Sequence, residues 1–433
     1  MKLYSTKNKS KLVSLKEAVF KGLPEDNGLY MPEYIPQLPE EFIKNLAHYS
    51  FQEIGFQICK SLFNGEIPEN DLREIIEKSI TFPAPIVQLD EEKYILELFH
   101  GPSLAFKDFG ARFMAQLMSY FNRGNEEELV ILVATSGDTG GAVAAGFHKT
   151  PGIKVVILYP SGKVSDLQEK QLTTLGHNIT ALEINGNFDD CQNLVKQAFL
   201  DHELTEKIRL SSANSINIAR LIPQSFYYFE AFKQLGEYEK DVIFCIPSGN
   251  FGNLTAGLFA KKMGLPIAKF IAATNSNDVV PAYLQSGKYQ PKPSVATLSN
   301  AMDVGNPSNF ARMLDVYGST WNAMISDVVG FSFNDDQTKQ GMEEVYNKYN
   351  YQIDPHGAVG YLALKQYQTK IMNSKGIILE TAHPSKFLSD VENVLKSKVN
   401  IPERLAILAD REKVSIKFNT EFDAFKEYLL SNF

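Results

Sequence analysis

The stretch LVILVATSGDTGGAVAAGFH, Leu129 to His148, decides the fold. Leu129 to Ala134 is apolar and rich in β-branched residues and predicts a strand. Thr135 to Gly141 reads as a glycine-rich turn, and Ala142 to His148 as a helix. A short apolar run without polar alternation suits a parallel strand covered on both faces. The same rhythm continues outward. Ile153 to Tyr159 and Ile179 to Ile184 predict strands, and Gln168 to Leu175 and Phe188 to Leu200 predict helices. It restarts after LSSANSINIARLIPQSFYYFEAFKQLG. Asp241 to Ile246 reads as strand, Pro247 to Asn253 as turn, Leu254 to Met263 as helix and Phe270 to Thr274 as strand. Gly376 to Glu380 predicts a short strand ahead of the loop TAHPSKF. The fold class is therefore α/β, with two doubly wound α/β units and a cleft between them.

A chain of 433 residues exceeds the size at which one core stops growing, which also favours two domains. The expected division is an N-terminal covering region over 1–95, where proline-punctuated turns such as LPEDNGLYMPEYIPQLP interrupt short helical patterns. A smaller α/β domain would span 96–225 and a larger one 226–433. A net charge of −8 and the lack of a long basic run exclude a nucleic-acid or anionic-membrane surface as the main partner. Cys59, Cys191 and Cys245 are far apart and odd in number, which suits a reducing compartment. The beginning lacks a secretory pattern, and no segment reaches the roughly 18 to 20 apolar residues of a membrane helix. The expectation is a cytoplasmic protein. Seven histidines without an HExxH pattern give no metal site.

In HGPSLAFKDFGARFMAQLM, His100 to Met118, apolar residues recur at helical spacing through Phe109, Phe113, Leu117 and Phe121. Lys107 sits early on that helix. Burial there would lower its pKa and give a nucleophilic amine able to form an imine. The competing reading packs its stem and sends its head to water beside Asp108. IPSGNFGNLTAG, Ile246 to Gly257, lies between strand and helix, where small residues let several N–H groups converge on an anion. A tight turn with asparagine caps is the alternative. It lacks the lysine of a nucleotide P-loop, which disfavours a nucleotide-dependent enzyme. The loop Ala134 to Gly141 offers a helix start rimmed by Thr135, Ser136 and Thr139, suited to a carboxylate or simply to capping. Asn214, Asn217 and Arg220 offer a second anion site or a helix start. Asp354-Pro-His356-Gly reads as a structural turn, and Thr381 either faces the cleft or ends a strand.

Lysine, hydroxyl-rich loop and glycine-asparagine loop, in this order, resemble the pyridoxal-phosphate enzymes of fold type II. The chain is most similar to the threonine synthase family, through HGPSLAFKDFGARFMAQ, ATSGDTGGAVA, ANSINIAR, PSGNFGNLTAG, NAMDVGNPSN, ETAHPSKF and GLPEDNGLYMP. Its short amino terminus resembles the bacterial and fungal type. Asn27 departs from the glycine expected in the last of these motifs.

The resemblance implies roles by position. Lys107 would be the catalytic residue and form the internal aldimine with pyridoxal 5'-phosphate. Gly249, Asn250, Phe251, Gly252 and Asn253 would hold the cofactor phosphate. Thr381 would meet the pyridine nitrogen, and Asp138 would lie near the phenolic oxygen. Thr135, Ser136 and Thr139 would take the substrate carboxylate, and Arg112, Asn217 and Arg220 the departing phosphate. The implied reaction turns the small-molecule substrate O-phospho-L-homoserine, with water, into L-threonine and phosphate, in a monomer or homodimer. The alternatives are a phospho-lyase of the same fold that releases a 2-oxo acid, and a catalytically silent homologue serving as a binding protein.

Overall fold

The structure is a computed structural model that describes every residue except Ser136, 237–240 and 372–373, together with the side chain of Ala409. The chain begins with a small antiparallel sheet of β1 (Lys2–Ser5), β2 (Asn8–Ser14) and β3 (Tyr30–Pro32), ordered β2-β1-β3. Then come β4 (Ile86–Gln88), β5 (Lys93–Glu97), β6 (Leu129–Ala134), β7 (Ile153–Pro160), β8 (Ile179–Ile184) and β9 (Arg209–Ser212). The remaining strands are β10 (Asp241–Pro247), β11 (Lys269–Thr274), β12 (Val328–Ser332), β13 (Ser374–Glu380) and β14 (Ile416–Phe418).

Two parallel sheets carry the architecture. One runs β14-β8-β7-β6-β9, and the other β12-β11-β10-β13-β5-β4, in which, among the described residues, only the β4–β5 pair is antiparallel. The apolar run of β6 explains its position. Leu129, Ile131 and Val133 point into one core cluster, while Val130 and Leu132 point into another on the opposite face.

The linear division at residues 95 and 225 is not how the sheets divide. β4 and β5 pair onto β13 of the larger sheet, and β14, almost at the end of the chain, pairs with β8 of the smaller one. The three strands concerned are short: β4 and β14 have three residues each and β5 five, and none of β14 is buried. The expected covering region also holds the β1–β3 sheet and two longer helices, Phe51–Phe63 and Glu69–Ser79. Asn27 has φ of 56°, a left-handed conformation that asparagine tolerates, so it can stand where the family has glycine.

The predicted helix becomes Lys107–Asn122, with Phe109, Phe113, Leu117 and Phe121 all buried. Phe109 packs against Phe82 at 4.7 Å and Phe51 at 5.7 Å between ring centroids, and Phe113 against Phe226 at 5.9 Å. Edge-to-face and tilted rings of this kind favour one register over sliding. The N-terminal region thus fixes the helix whose first residue is Lys107. Among the described residues no helix is long and apolar enough to cross a membrane.

Candidate active site

Two features of the loop before Lys107 set its geometry. Asp108 turns back into that loop and accepts the Ser103 N–H at 2.8 Å, and a Cβ on Gly101 would lie 2.4 Å from its carboxylate oxygen. Leu104 completes the bend with φ of 59°. Burial pushes the Asp108 carboxyl up to about 6, since its charge has left water for the loop interior. Asp108 is therefore not a solvent-side partner for Lys107, and the competing reading of that pair falls.

The Lys107 side chain is 19% exposed, and its amine stands 3.9 Å from Asp138. Burial is the largest cause lowering its pKa, Asp138 opposes the shift, and the cations Lys386 and Arg220 reinforce it. Its place at the positive end of a helix dipole acts in the same direction. The result is an amine with a raised neutral fraction.

Thr381 is held beside it, because the Phe106 N–H donates to the Thr381 carbonyl at 2.9 Å and Ala105 bridges to Ala382. Its hydroxyl has no hydrogen-bond partner among the described residues, although Thr381 is only 7% exposed. A short antiparallel bridge thus joins the end of β13 to the start of the lysine helix.

Helix Gly252–Lys262 begins at Phe251, which has φ of 58° and caps it in the left-handed region. Around this turn the side chains bind one another. Asn253 accepts from the Ser248 hydroxyl at 2.6 Å and donates to the Pro247 carbonyl at 2.9 Å. Asn250 accepts the Ser308 N–H at 2.6 Å and donates to Ser215 at 3.3 Å. The backbone N–H groups from Gly249 to Asn253, by contrast, donate to no acceptor among the described residues. Five successive free donors at a helix start make an anion cradle. The asparagine side chains brace the turn without capping the helix, whose N-cap is Phe251 with no side-chain bond, and the free donors lie beside them.

In the other loop, helix Asp138–Phe147 starts four residues earlier than expected, so part of the glycine-rich turn is its first turn. The buried Thr135 hydroxyl accepts the N–H groups of Gly137 at 3.0 Å and Gly140 at 2.8 Å. The N–H groups of Asp138 and Thr139 have no acceptor among the described residues. Thr139 is half-buried, and Ser136 lies outside the described residues.

The three residues expected at the departing phosphate do not share one place. Arg112 donates to the carbonyls of Ser79 at 3.0 Å and Lys78 at 2.7 Å, capping helix Glu69–Ser79. Asn217 is fully buried, donates to the Val19 carbonyl at 2.8 Å and caps the Ile218–Leu221 turn. Both are held as braces by backbone carbonyls, and their remaining donors are not shown to face the site. Arg220 is the third. It donates to the Ala213 carbonyl at 2.9 Å and lies close enough to Lys107 to shift its charge, while its buried Nε has no partner among the described residues. Burial brings the Arg220 guanidinium down to about 10.

Sequence reasoning missed three buried residues. Lys386 donates to Asp138 at 2.9 Å, and this ion pair joins the loop after β13 to the start of helix Asp138–Phe147. Arg312 donates to the Tyr30 carbonyl at 2.9 and 3.1 Å and to Asn309 at 2.8 Å, and Asn309 in turn donates to the Asn250 carbonyl at 3.0 Å. These bonds tie the N-terminal sheet to the glycine-asparagine loop. Lys386 and Asn309 lie in motifs already quoted, whereas Arg312 carries no local signal.

Pyridoxal phosphate fits this arrangement on three observations: a half-buried, poorly solvated amine for its aldehyde, free amide donors for its phosphate and an unpartnered hydroxyl for its ring nitrogen. Family-level comparison agrees. Residues 80–379 match the model for pyridoxal-phosphate dependent enzymes, residues 2–80 that for the threonine synthase N terminus, and residues 357–429 that for the threonine synthase C-terminal region. The chain is 47% identical to threonine synthase from Haemophilus influenzae, with all of both chains covered. It superposes on the crystal structure of threonine synthase from Escherichia coli with a TM-score of 0.91 at 43% identity, again over all of both chains. A pyridoxal-phosphate-bound threonine synthase from Brucella melitensis gives a TM-score of 0.94 at 36% identity, covering 100% of this chain and 99% of that one. With the site geometry and full-length similarity in agreement, the chain belongs to the threonine synthase family of pyridoxal-phosphate-dependent enzymes.

Proposed function

We propose that this chain converts O-phospho-L-homoserine and water into L-threonine and phosphate, with Lys107 as the catalytic residue. The observation that carries the reading is the half-buried Lys107 amine at a helix start, flanked by Asp138 and Arg220 and joined through Phe106 to Thr381. Bound pyridoxal phosphate supplies an electron sink for bonds at the substrate α-carbon. Lys107 would hold the cofactor through its aldehyde, and its amine, when free, would take and return a proton at the substrate α-carbon and later positions.

Gly249 to Asn253 bind the cofactor phosphate through backbone N–H groups, which hold a dianion without placing a competing cation near the lysine. The Thr381 hydroxyl bonds the pyridine nitrogen. Asp138 lies near the phenolic oxygen, its charge offset by Lys386. Thr139 and the free N–H groups at the start of its helix take the substrate carboxylate, and Thr135 keeps one hydroxyl proton to donate toward it. Arg220 orients the departing phosphate through its unpartnered Nε. Approach of the two α/β units would keep water out until the β-carbon is ready for it. We place the activity in the cytoplasm, in a monomer or homodimer.

The test is product analysis of purified enzyme given O-phospho-L-homoserine. Equal amounts of threonine and phosphate are expected. Phosphate accompanied by a 2-oxo acid would instead assign a lyase, and no turnover by cofactor-loaded protein would assign a binding protein.

A further inference from the structure

Lys386 is a second lysine beside the first. It sits in the turn Pro384–Phe387 that follows β13, with its side chain only 2% exposed. Its ammonium donates to the Asp138 carboxylate at 2.9 Å, to the Ser103 carbonyl at 2.9 Å and to the Gln171 side-chain oxygen at 3.3 Å. An ammonium has three protons, and three acceptors use them all. Lys386 therefore has no donor left for a ligand, and its influence must pass through the groups it holds.

Asp138 is the informative one of the three. Its Oδ1 receives both Lys386 and the Gln168 amide, the latter at 3.0 Å, whereas its Oδ2 stands 3.9 Å from Lys107, outside hydrogen-bond range. A buried carboxylate needs a cation, and two lysines compete for this one. Were Asp138 to pair with Lys107, the amine would be held protonated and unable to attack an aldehyde. We propose that Lys386 is a positioning residue that holds Asp138 away from Lys107 and so leaves the Lys107 amine free to take the cofactor.

The surrounding geometry supports this division. Gln171 donates to the Ser103 carbonyl at 3.2 Å while accepting from Lys386, so the loop before Lys107 and the ammonium share one support. Gly137, with φ of 138°, leaves room for Gln168 to reach Asp138, since a Cβ there would lie 2.7 Å from the Gln168 amide carbon. The charged groups acting on Lys107 are Asp138, which favours its protonation, and Lys386 and Arg220, which oppose it. Removing Lys386 would thus act twice in one direction, freeing Asp138 and deleting a cation.

The inference rests on the reading of Lys107 as the cofactor-bearing amine, but its test needs neither substrate nor cofactor. Trace acetylation of the cofactor-free full-length chain across pH 6 to 10, followed by mass spectrometry, reports the pH at which Lys107 becomes neutral. Lys386→Met should raise that midpoint by at least one pH unit, a tenfold loss of neutral amine below it. Lys386→Arg should stay near the parent, and Asp138→Asn combined with Lys386→Met should return toward it. An unchanged midpoint in folded Lys386→Met overturns the proposal. Should that variant fail to fold, Lys386→Gln is read in the same way, and an unchanged midpoint in it overturns the proposal equally. Failure to make threonine would leave the labelling result standing, so the two readings fail separately.

Discussion

Lys107 owes its reactivity to its surroundings more than to its type. Exposed lysines such as Lys78 and Lys207 pair at the surface for little gain, but this one lies at the start of a largely buried helix where its charge is poorly solvated. Replacing Lys107 with alanine is expected to lower threonine formation at least a thousandfold while leaving the circular dichroism spectrum unchanged, because its head group holds no structural bond. Thr381→Val, which keeps the shape and removes the hydroxyl, should shift the absorbance of bound cofactor and slow turnover without loss of fold. Retained turnover in the first variant, or an unshifted spectrum in the second, would remove that residue from the site. Apolar residues at helical spacing make Lys107 stand out in the sequence, while its assigned role comes from the resemblance to the family. Lys386 did not stand out, because its meaning lies in Asp138, which reaches it only through the tertiary fold. The bracing bonds of Arg112 and Asn217 were illegible for the same reason, since their partners Ser79 and Val19 lie in the N-terminal region.

Among the elements, the turn before helix Gly252–Lys262 depends on close approach. A Cβ on Gly249 would lie 2.7 Å from the Met302 Cα and 2.8 Å from the Ala301 carbonyl oxygen, both backbone atoms that cannot swing aside. Gly249→Ala should therefore displace the 300–302 turn and weaken cofactor binding at least tenfold in a spectroscopic titration. The same turn is held from behind by His356, whose Nε2 accepts the Ala301 N–H at 3.2 Å while Nδ1 bonds Asp354 at 2.7 Å. Losing one such bond costs about 1 kcal/mol, so His356→Ala should weaken the cofactor by about fivefold. Unaltered affinity in either variant would separate the turn from the phosphate cradle. The sequence reading took Asp354-Pro-His356-Gly for a turn only. Asp354 is in fact the N-cap of helix Pro355–Gln368, with proline at its first position, a pairing that carries its own helix-start signal. The strands β6, β8 and helix Phe188–Leu200 matched their expected bounds because each is a full apolar or amphipathic run.

At the scale of the whole molecule, the smaller sheet is completed by the far end of the chain. Phe425, on the last helix, is fully buried in the cluster that holds Leu182, Leu194 and Leu204. Phe425→Ala should cost about 3–5 kcal/mol and open the region around β8 to proteolysis, although the two segments are distant in sequence. Cleavage confined to the C-terminal helix would contradict that topology. Acid sensitivity belongs to this scale as well. Burial, aided by Arg404, brings the His383 imidazole down to about 4, and its Nδ1 accepts the Ser385 N–H at 3.1 Å. The unfolded chain takes up a proton there near its ordinary value of 6.5. The stability contributed is therefore complete above 6.5 and is lost as pH falls toward 4, by up to about 1.4 kcal/mol per pH unit. His383→Gln should flatten the fall of the urea midpoint between pH 6.5 and 4.5, and an unchanged slope would exclude His383 as its source. Two α/β units were legible from strand-helix rhythm, but which unit takes β4, β5 and β14 was not, since strands of three to five residues carry little period and their pairing is set only in the tertiary fold.

The central claim is that the Lys107 amine carries the cofactor while the neighbouring Lys386 only positions Asp138. Borohydride reduction of the cofactor-loaded protein, followed by peptide mass spectrometry, tests it most directly. The account predicts the pyridoxyl mass on the peptide containing Lys107 and none on that containing Lys386. A label on Lys386, or none on either lysine in protein that has bound the cofactor, would contradict it.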